Sequence, residues 1–284
     1  MSIYRPIAIA TCLVIALVTF IGGRATAASN AGLSISPARQ YINVASGQPQ
    51  QKHLLVSNNT AKPMRVSLSV GQFSVANYTY DFTFQETKKD WIKLQATLIE
   101  LEPNKSQDVS YAITLPKDAP PGGYYFTIFA TTTMYGDSVK NTVRLAETIY
   151  LKTDGKLLQS SRIDGANVPL INFDSQLSYS YDAQNTGNTH FFIYTADSIH
   201  GLGTQNTINE ATHLLLPNTI RRIKCTTQAP LLPGIYKIKY GYTTDGGTKI
   251  YKQKYFINVP LWSLFVLFGA TLIIFRLVRL RKNH

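Results

Sequence analysis

The chain has 284 residues, with 28 Lys+Arg against 16 Asp+Glu, a formal charge of +12 and only two cysteines. That charge suggests a nucleic-acid binder until its distribution is read. Two basic residues, Arg5 and Arg24, lie in the N-terminal segment, and four more, Arg276, Arg279, Arg281 and Lys282, crowd the C-terminus; residues 28–259 keep 22 against all 16 acids. That scattered +6 reads as solvated strand faces, with weak affinity for anionic wall polymers as the functional alternative and no nucleic-acid partner expected. Cys225 is the one cysteine outside the N-terminal segment, so an internal disulfide is excluded and Cys225 reads as a small core residue.

In chain order, Arg5 precedes an apolar run over 7–21, and Ala25-Thr26-Ala27 fits the small-x-small pattern of signal-peptidase cleavage. Residues 1–27 are therefore predicted to be a signal peptide, with the mature chain starting near Ala28. Cys12 lies inside the apolar run rather than after it, with Thr11 before it, which argues against acylation.

From 28 to 259 no stretch sustains a helical period. Short alternating runs take its place: "RQYINV", "KHLLVSN", "MRVSLSVGQFSV", "DVSYAITL", "YYFTIFATTT" and "TVRLAETIYL", then "QLSYSYDAQ", "HFFIYTADSI", "TIRRIKCTT", "GIYKIKYGYT" and "KIYKQKYFINV". Val, Ile, Thr, Tyr and Phe at period two, bounded by Gly, Pro, Asn and Asp, predict strands, and many short strands predict sandwiches. The 17 tyrosines suit half-buried strands, with the ring inside and the hydroxyl in water.

The run also repeats itself. "LEPNKSQDVSYAITLPKDAPPGGYYFTIFATTT" (101–133) aligns with "LLPNTIRRIKCTTQAPLLPGIYKIKYGYTTDGG" (215–247). Each copy opens on a Pro-Asn pair, Pro103-Asn104 and Pro217-Asn218, followed by a strand, a Pro/Gly turn and a Tyr-bearing strand. Upstream, "LLVSNNTAKPMRVSLSV" has its echo in "YDAQNTGNTHFFIYTAD". An internal duplication predicts two units of one fold. The fold class is all-β: two tandem immunoglobulin-like sandwiches, 28–153 and 154–259, meeting at "KTDGK" (152–156). Pro presets φ and Gly permits positive φ, so the Pro-Gly stretches read as turns between core strands. The "PPGGYY" version also suggests an aromatic ledge for a sugar or peptide, made by Tyr124 and Tyr125.

The chain then reads "VPLWSLFVLFGATLIIFRLVRLRKNH". About twenty residues at about 1.5 Å each span roughly the 30 Å of a hydrocarbon core. Residues 260–280 are predicted to be a transmembrane helix, with Trp262 at the outer interface. Arg276, Arg279, Arg281 and Lys282 satisfy the positive-inside rule, which makes 281–284 a cytoplasmic basic tail and the protein single-pass and type I.

Chemistry is sparse. His53, His190, His200, His213 and His284 show no metal-ligand spacing, and no nucleophile elbow occurs. "GLGTQN" lacks the third glycine of a dinucleotide loop, and "TTDGGTK" and "KTDGK" read as turns rather than calcium loops. Neither metal nor cofactor is expected, and no catalysis. Paired carboxylates need not be neighbours in the chain, so glycosidase chemistry stays open at this level.

"LSISPARQYINVASGQPQQKHLLVSNNTAKPMRVSLSVGQFSV" and "DWIKLQATLIELEPNKSQDVSYAITLPKDAPPGGYY" resemble the first domain of the WxL-interacting proteins of Gram-positive bacteria. The resemblance covers 32–133; over 157–258 it is only generically immunoglobulin-like. It implies a membrane-anchored cell-surface protein whose first domain binds peptidoglycan or a surface protein, and whose second is a stalk or further binding module. The second domain is short for the family, and the Pro-rich turn departs from its pattern. The first domain is also similar to the sandwiches of periplasmic pilus chaperones. The alternative is thus a membrane-tethered chaperone or assembly factor for exported subunits, acting by strand addition. The expected ligand contacts are Trp91, Tyr124 and Tyr125, with Asn59 and Arg65 as polar neighbours.

Overall fold

A computed structural model describes residues 32–135, 140–202 and 204–282. The expected signal peptide, 1–27, lies outside the described residues, as do the last two residues of the tail.

The first half folds as β1 (Leu33–Ser36), β2 (Arg39–Val44), β3 (Gln50–Asn58), β4 (Met64–Val75), β5 (Phe82–Glu86), β6 (Ile92–Leu94), β7 (Leu98–Leu101), β8 (Ser106–Ile113), β9 (Gly123–Tyr135) and β10 (Lys140–Thr153). One sheet has the order β1-β3-β8-β6. The facing sheet runs β2-β10-β9-β4-β5, with β7 also paired to β4. The chain changes sheet at Pro37: β1 pairs antiparallel with β3, and β2 parallel with β10.

The second half repeats the plan with β11 (Ser161–Asn167), β12 (Ile171–Asn172), β13 (Gln176–Asn185), β14 (Phe191–Gly201), β15 (Thr204–Leu215), β16 (Ile220–Gln228), β17 (Gly234–Thr244) and β18 (Lys249–Asn258). Its sheets are β11-β13-β16 and β12-β18-β17-β14-β15. Among the described residues one helix, α1 (Leu261–Lys282), follows.

Period-two alternation puts one row of each strand inside. Leu54, Val56, Val109 and Tyr111 of one sheet meet Val66, Leu68, Phe126, Ile128 and Ile149 of the other. In the second sandwich Leu177, Tyr179 and Tyr181 meet Ile193, Tyr236, Ile238, Tyr240 and Phe256. Six tyrosines depart from the half-buried expectation: Tyr111, Tyr150, Tyr181, Tyr236, Tyr240 and Tyr242 are fully buried. Several carry their hydroxyls into the core because buried acceptors wait there, which removes the desolvation penalty.

The duplication is visible as repeated joinery. Asn58 donates through Nδ2 to the carbonyls of Lys62 and Leu101 at 2.8 and 3.1 Å. Its counterpart Asn185 donates to those of Thr189 and Leu215 at 2.9 and 3.1 Å. Asn104 and Asn218, the residues after the paired prolines, both adopt left-handed backbone, with φ of 56° and 58°. Asparagine tolerates that region better than other non-glycine residues.

Candidate functional site: an open strand edge above an aromatic junction

The two sandwiches meet through two turns. In the first, Gly123 N–H donates to the Asn188 carbonyl at 2.8 Å, and Asn188 Nδ2 donates to Pro121 O at 3.0 Å. A Cβ at Gly122 would stand 2.9 Å from the Asn188 backbone oxygen, so the Pro-Pro-Gly-Gly turn needs glycine to let the second sandwich approach. In the second, the 76–81 connection of β4 and β5 lies along the free edge of β16. Tyr78 N–H donates to Ile220 O at 2.6 Å, and Arg222 N–H returns to Tyr78 O at 3.2 Å. Tyr80 reaches further: its hydroxyl accepts from Leu216 N–H at 2.6 Å and bonds Thr219 Oγ1 at 2.9 Å. Tyr78 and Tyr80 hold φ of 70° and 65°, left-handed conformations costly for tyrosine that the docking contacts offset.

Between these turns runs an aromatic junction. Tyr41 stacks on Tyr150 at 4.9 Å and meets Phe192 edge-on at 5.3 Å, while Phe73 packs on Tyr150 at 5.1 Å. His190 is buried among these rings, 3.3 Å from the Tyr125 hydroxyl. Burial, then the Lys152 charge, pushes its imidazole down to about 3, so it is neutral at neutral pH. A cavity of about 280 Å³ opens here, bordered by Arg39, Tyr80, Tyr150, His213 and Arg221. His213 is held down to about 4, by burial first and the Arg221 charge second.

Beside the junction lies the open edge. β10 pairs with β9 over its length, from Lys140 opposite Tyr135 to Lys152 opposite Gly123. On its other side β2 covers only 148–153. Among the described residues, 142–147 therefore have a free ladder on the outer side. The inward row of β10 is Val143, Leu145, Glu147, Ile149 and Leu151. Val143 and Leu145 are partly buried against the first core, whereas Ile149 and Leu151 are fully buried. An unpaired edge carrying alternating apolar side chains is a template for another strand.

Glu147 marks the inner end of that edge. It is fully buried, and Tyr111 Oη donates to its Oε1 at 3.1 Å. Gln40 Nε2 donates to the same oxygen. Oε2 has no hydrogen-bond partner among the described residues. Burial pushes the carboxyl up to about 7, against the pull of the Gln40 and Tyr111 hydrogen bonds. The second sandwich handles its own acid differently. Asp197 accepts from Tyr179 Oη at 2.7 Å, Gly241 N–H at 2.9 Å and Asn209 Nδ2 at 3.0 Å. Cys225, beside it, is pushed up to about 12, by burial first, and stays a thiol. The two buried carboxylates sit in separate cores, so they do not flank one cleft as a glycosidase pair would.

The five residues expected to contact ligand are not brought together. Trp91 and Tyr124 do meet, edge to face at 4.7 Å. However, Lys89 Nζ already stands 4.4 and 4.3 Å from their ring centres. Tyr125 faces the other side of β9, into the junction, so it forms no ledge with Tyr124: neighbours on a strand point to opposite faces. Asn59 lies in the β3–β4 turn, donating to Ser34 Oγ at 3.0 Å. Arg65 pairs with Glu100 at 3.7 Å, near Val66, which opposes Thr132. That is about 26 Å along β9 from Tyr124, at about 3.3 Å per residue. The β10 edge and the 77–80 contact were missed. For the edge the alternation of "VRLAETIYL" was a usable signal; for the contact there was none.

α1 is long and apolar enough to cross a membrane, and almost all of it is exposed. Trp262 lies near its first turn, and Arg276, Arg279 and Arg281 are exposed in its second half; Lys282 ends it. Ser263 donates through N–H and Oγ to Pro260 O at 2.8 and 2.7 Å, closing the first turn.

No family model and no curated protein sequence matches the chain. Solved structures with similar outlines include a chain of a chaperone–tip adhesin complex from CFA/I fimbriae biogenesis, at 9% identity and TM-score 0.45, covering 81% of this chain and 100% of that one. The YadV chaperone follows at 11% and 0.43, covering 79% and 99%. A chain of the CsuC–CsuE chaperone–tip adhesin pre-assembly complex of Acinetobacter baumannii is similar at 11% and 0.44, covering 81% and 99%. What those proteins bind is a property of those proteins.

Proposed function

We propose that this chain is a non-catalytic, membrane-tethered assembly factor that holds an exported polypeptide by adding its strand to the outer edge of β10. The observation that carries the reading is the free ladder of 142–147 beside Val143 and Leu145. An extended segment placed there gains main-chain hydrogen bonds, and its alternate side chains cover the partly exposed apolar row. The contacts of Tyr80 with Leu216 and of Tyr41 with Phe192 join the second sandwich to the first beside that edge. In this reading α1 is the single-pass anchor, the sandwiches face the outside of the cell membrane, and Arg276, Arg279, Arg281 and Lys282 stay on the cytoplasmic side.

The alternative is a cell-wall receptor of the WxL-interacting kind. Its aromatic platform would be Trp91 and Tyr124, whose faces Lys89 covers. The two readings part in one experiment. A photo-crosslinking residue replaces Thr142, and in a second sample Lys89, in the full chain within its own envelope. The assembly reading expects crosslinks from 142 to extended segments of exported proteins, abolished by Leu145→Asp. Crosslinks only from 89, to wall glycan or a wall-bound protein, would support the receptor instead.

A further inference from the structure

Among the described residues, the Pro-Gly turn of the second copy makes no hydrogen bond to the other sandwich. It ends in the open, at the place where the chain leaves for α1. Leu231 is 84% exposed, Leu170 73% and Ile235 68%. Phe173 and Ile257 are exposed beside them. Ile171, Ile257 and Ile235 form one cross-strand row, because Ile257 opposes both of the others. Their neighbours Tyr236 and Phe256 point inward, so the row lies on the outer face of the sheet.

One buried side chain gathers these segments. Asn258 Nδ2 donates to Pro230 O at 2.6 Å and Leu232 O at 3.2 Å, and its Oδ1 accepts from Asn172 Nδ2 at 3.0 Å. Ile257 N–H donates to Leu170 O, and Val259 N–H to Asn172 O, both at 2.8 Å. The loops 168–173 and 230–235 are thus pinned to the last residues of β18. Neither loop contains a charged residue, and neither does 255–263. A surface this apolar and this free of charge is unusual in water.

We infer that this end of the second sandwich seats in the interfacial layer of the membrane that α1 crosses. The inference rests on the reading of α1 as an anchor. Two residues, Val259 and Pro260, separate Asn258 from Leu261, a reach of about 10 Å over three Cα steps. A helix that crosses the bilayer from Leu261 holds the patch within that distance of the headgroup region. The apolar faces of interfacial helices sink about 5–10 Å into the headgroup and acyl boundary. The charges nearest this patch along the chain are Asp174, Lys237 and Lys254, which flank it. Trp262, at the start of α1, has the amphipathic ring favoured at the same depth. The second sandwich is then a foot fixed to the lipid surface rather than a free stalk, and the β10 edge projects at a set height.

The test uses the full chain in phosphatidylcholine–phosphatidylglycerol vesicles that carry a lipid with a diazirine near the glycerol end of one acyl chain. After photolysis, labelled peptides are mapped by mass spectrometry. Peptides holding 168–173 and 230–235 are expected to label several-fold above a first-sandwich peptide such as 50–58, and α1 is expected to label too. The double variant Leu170→Asp, Leu231→Asp changes two exposed residues. It should lose the loop labelling and keep that of α1. Label in α1 with background label in the loops overturns the inference and leaves the anchor intact. Label in neither overturns both. Loop labelling that survives the double variant also overturns it, as do crosslinks joining the loops of two copies in place of lipid adducts.

Discussion

The turn at 120–123 and the turn at 230–234 come from the same phrase of sequence and finish in opposite surroundings. The first is pressed against Asn188 of the other sandwich, so closely that Gly122 has no room for a Cβ. The second carries Leu231 into the open. Duplication therefore preserved the turn and its strands, while the side chains around each copy acquired separate tasks. The buried acids differ in the same way: Asp197 has both oxygens bonded, and Glu147 has one.

Substituting the paired glycines breaks the comparison most strongly. Gly122→Val drives a side chain at a backbone oxygen, and thermal unfolding should show a loss of about 2–4 kcal/mol. At Gly234 the obstacle is the end of the exposed Leu202 side chain, which can swing aside. Gly234→Val should cost no more than about 1 kcal/mol. Equal losses would mean the two turns are equivalent after all.

The second largest effect is a pH slope. Glu147 rises from 4.5 unfolded to about 7 folded, so the native state binds more protons between those values. Stability then falls as pH rises through that window, by on the order of 2 kcal/mol, and is regained on acidification. Glu147→Gln should remove that contribution, read in denaturant titrations as the difference between variant and parent in the stability change from pH 5 to pH 8. The difference is needed because His190 and His213 contribute with the opposite sign below about 6.5 in both proteins. His190 acts with the opposite sign. Held down to about 3, it costs stability as pH falls below about 6.5, and that acid limb should remain in the Gln variant.

Tyr80→Phe removes both hydroxyl contacts with 216–219. It should cost about 1–2 kcal/mol and widen the distribution of angles between the sandwiches in small-angle scattering. The smallest effect belongs to the open turn: Leu231→Ser should move stability by no more than about 0.5 kcal/mol.

The strands, the repeat and the apolar helix could be read because each is written locally, as alternation, as paired Asn-Thr and Pro-Asn turns, or as an uncharged run. Period two also carried more than was taken from it. It separates Tyr124 from Tyr125, and it places Glu147 in phase with Val143, Leu145 and Ile149, an acid inside a core row. What alternation cannot say is which strand lies beside which. Among the described residues the ladder of β10 is open over 142–147 because β2 stops short of it, and Tyr80 meets Leu216 across 136 residues of chain. The buried hydroxyls were hidden for the same reason, since their acceptors come from distant strands.

The central claim is that residues 142–147 offer a free edge to an incoming strand. Amide hydrogen exchange on the full chain in nanodiscs, alone and with an exported polypeptide trapped from its envelope, tests it directly. The account predicts fast exchange in the free chain for the β10 amides that do not bond to β9, and slow exchange in the complex. Amides of β9 should not change. Protection of the outward-facing amides of 142–147 already present in the free chain, or unchanged exchange at those amides in a complex that has formed, would contradict it.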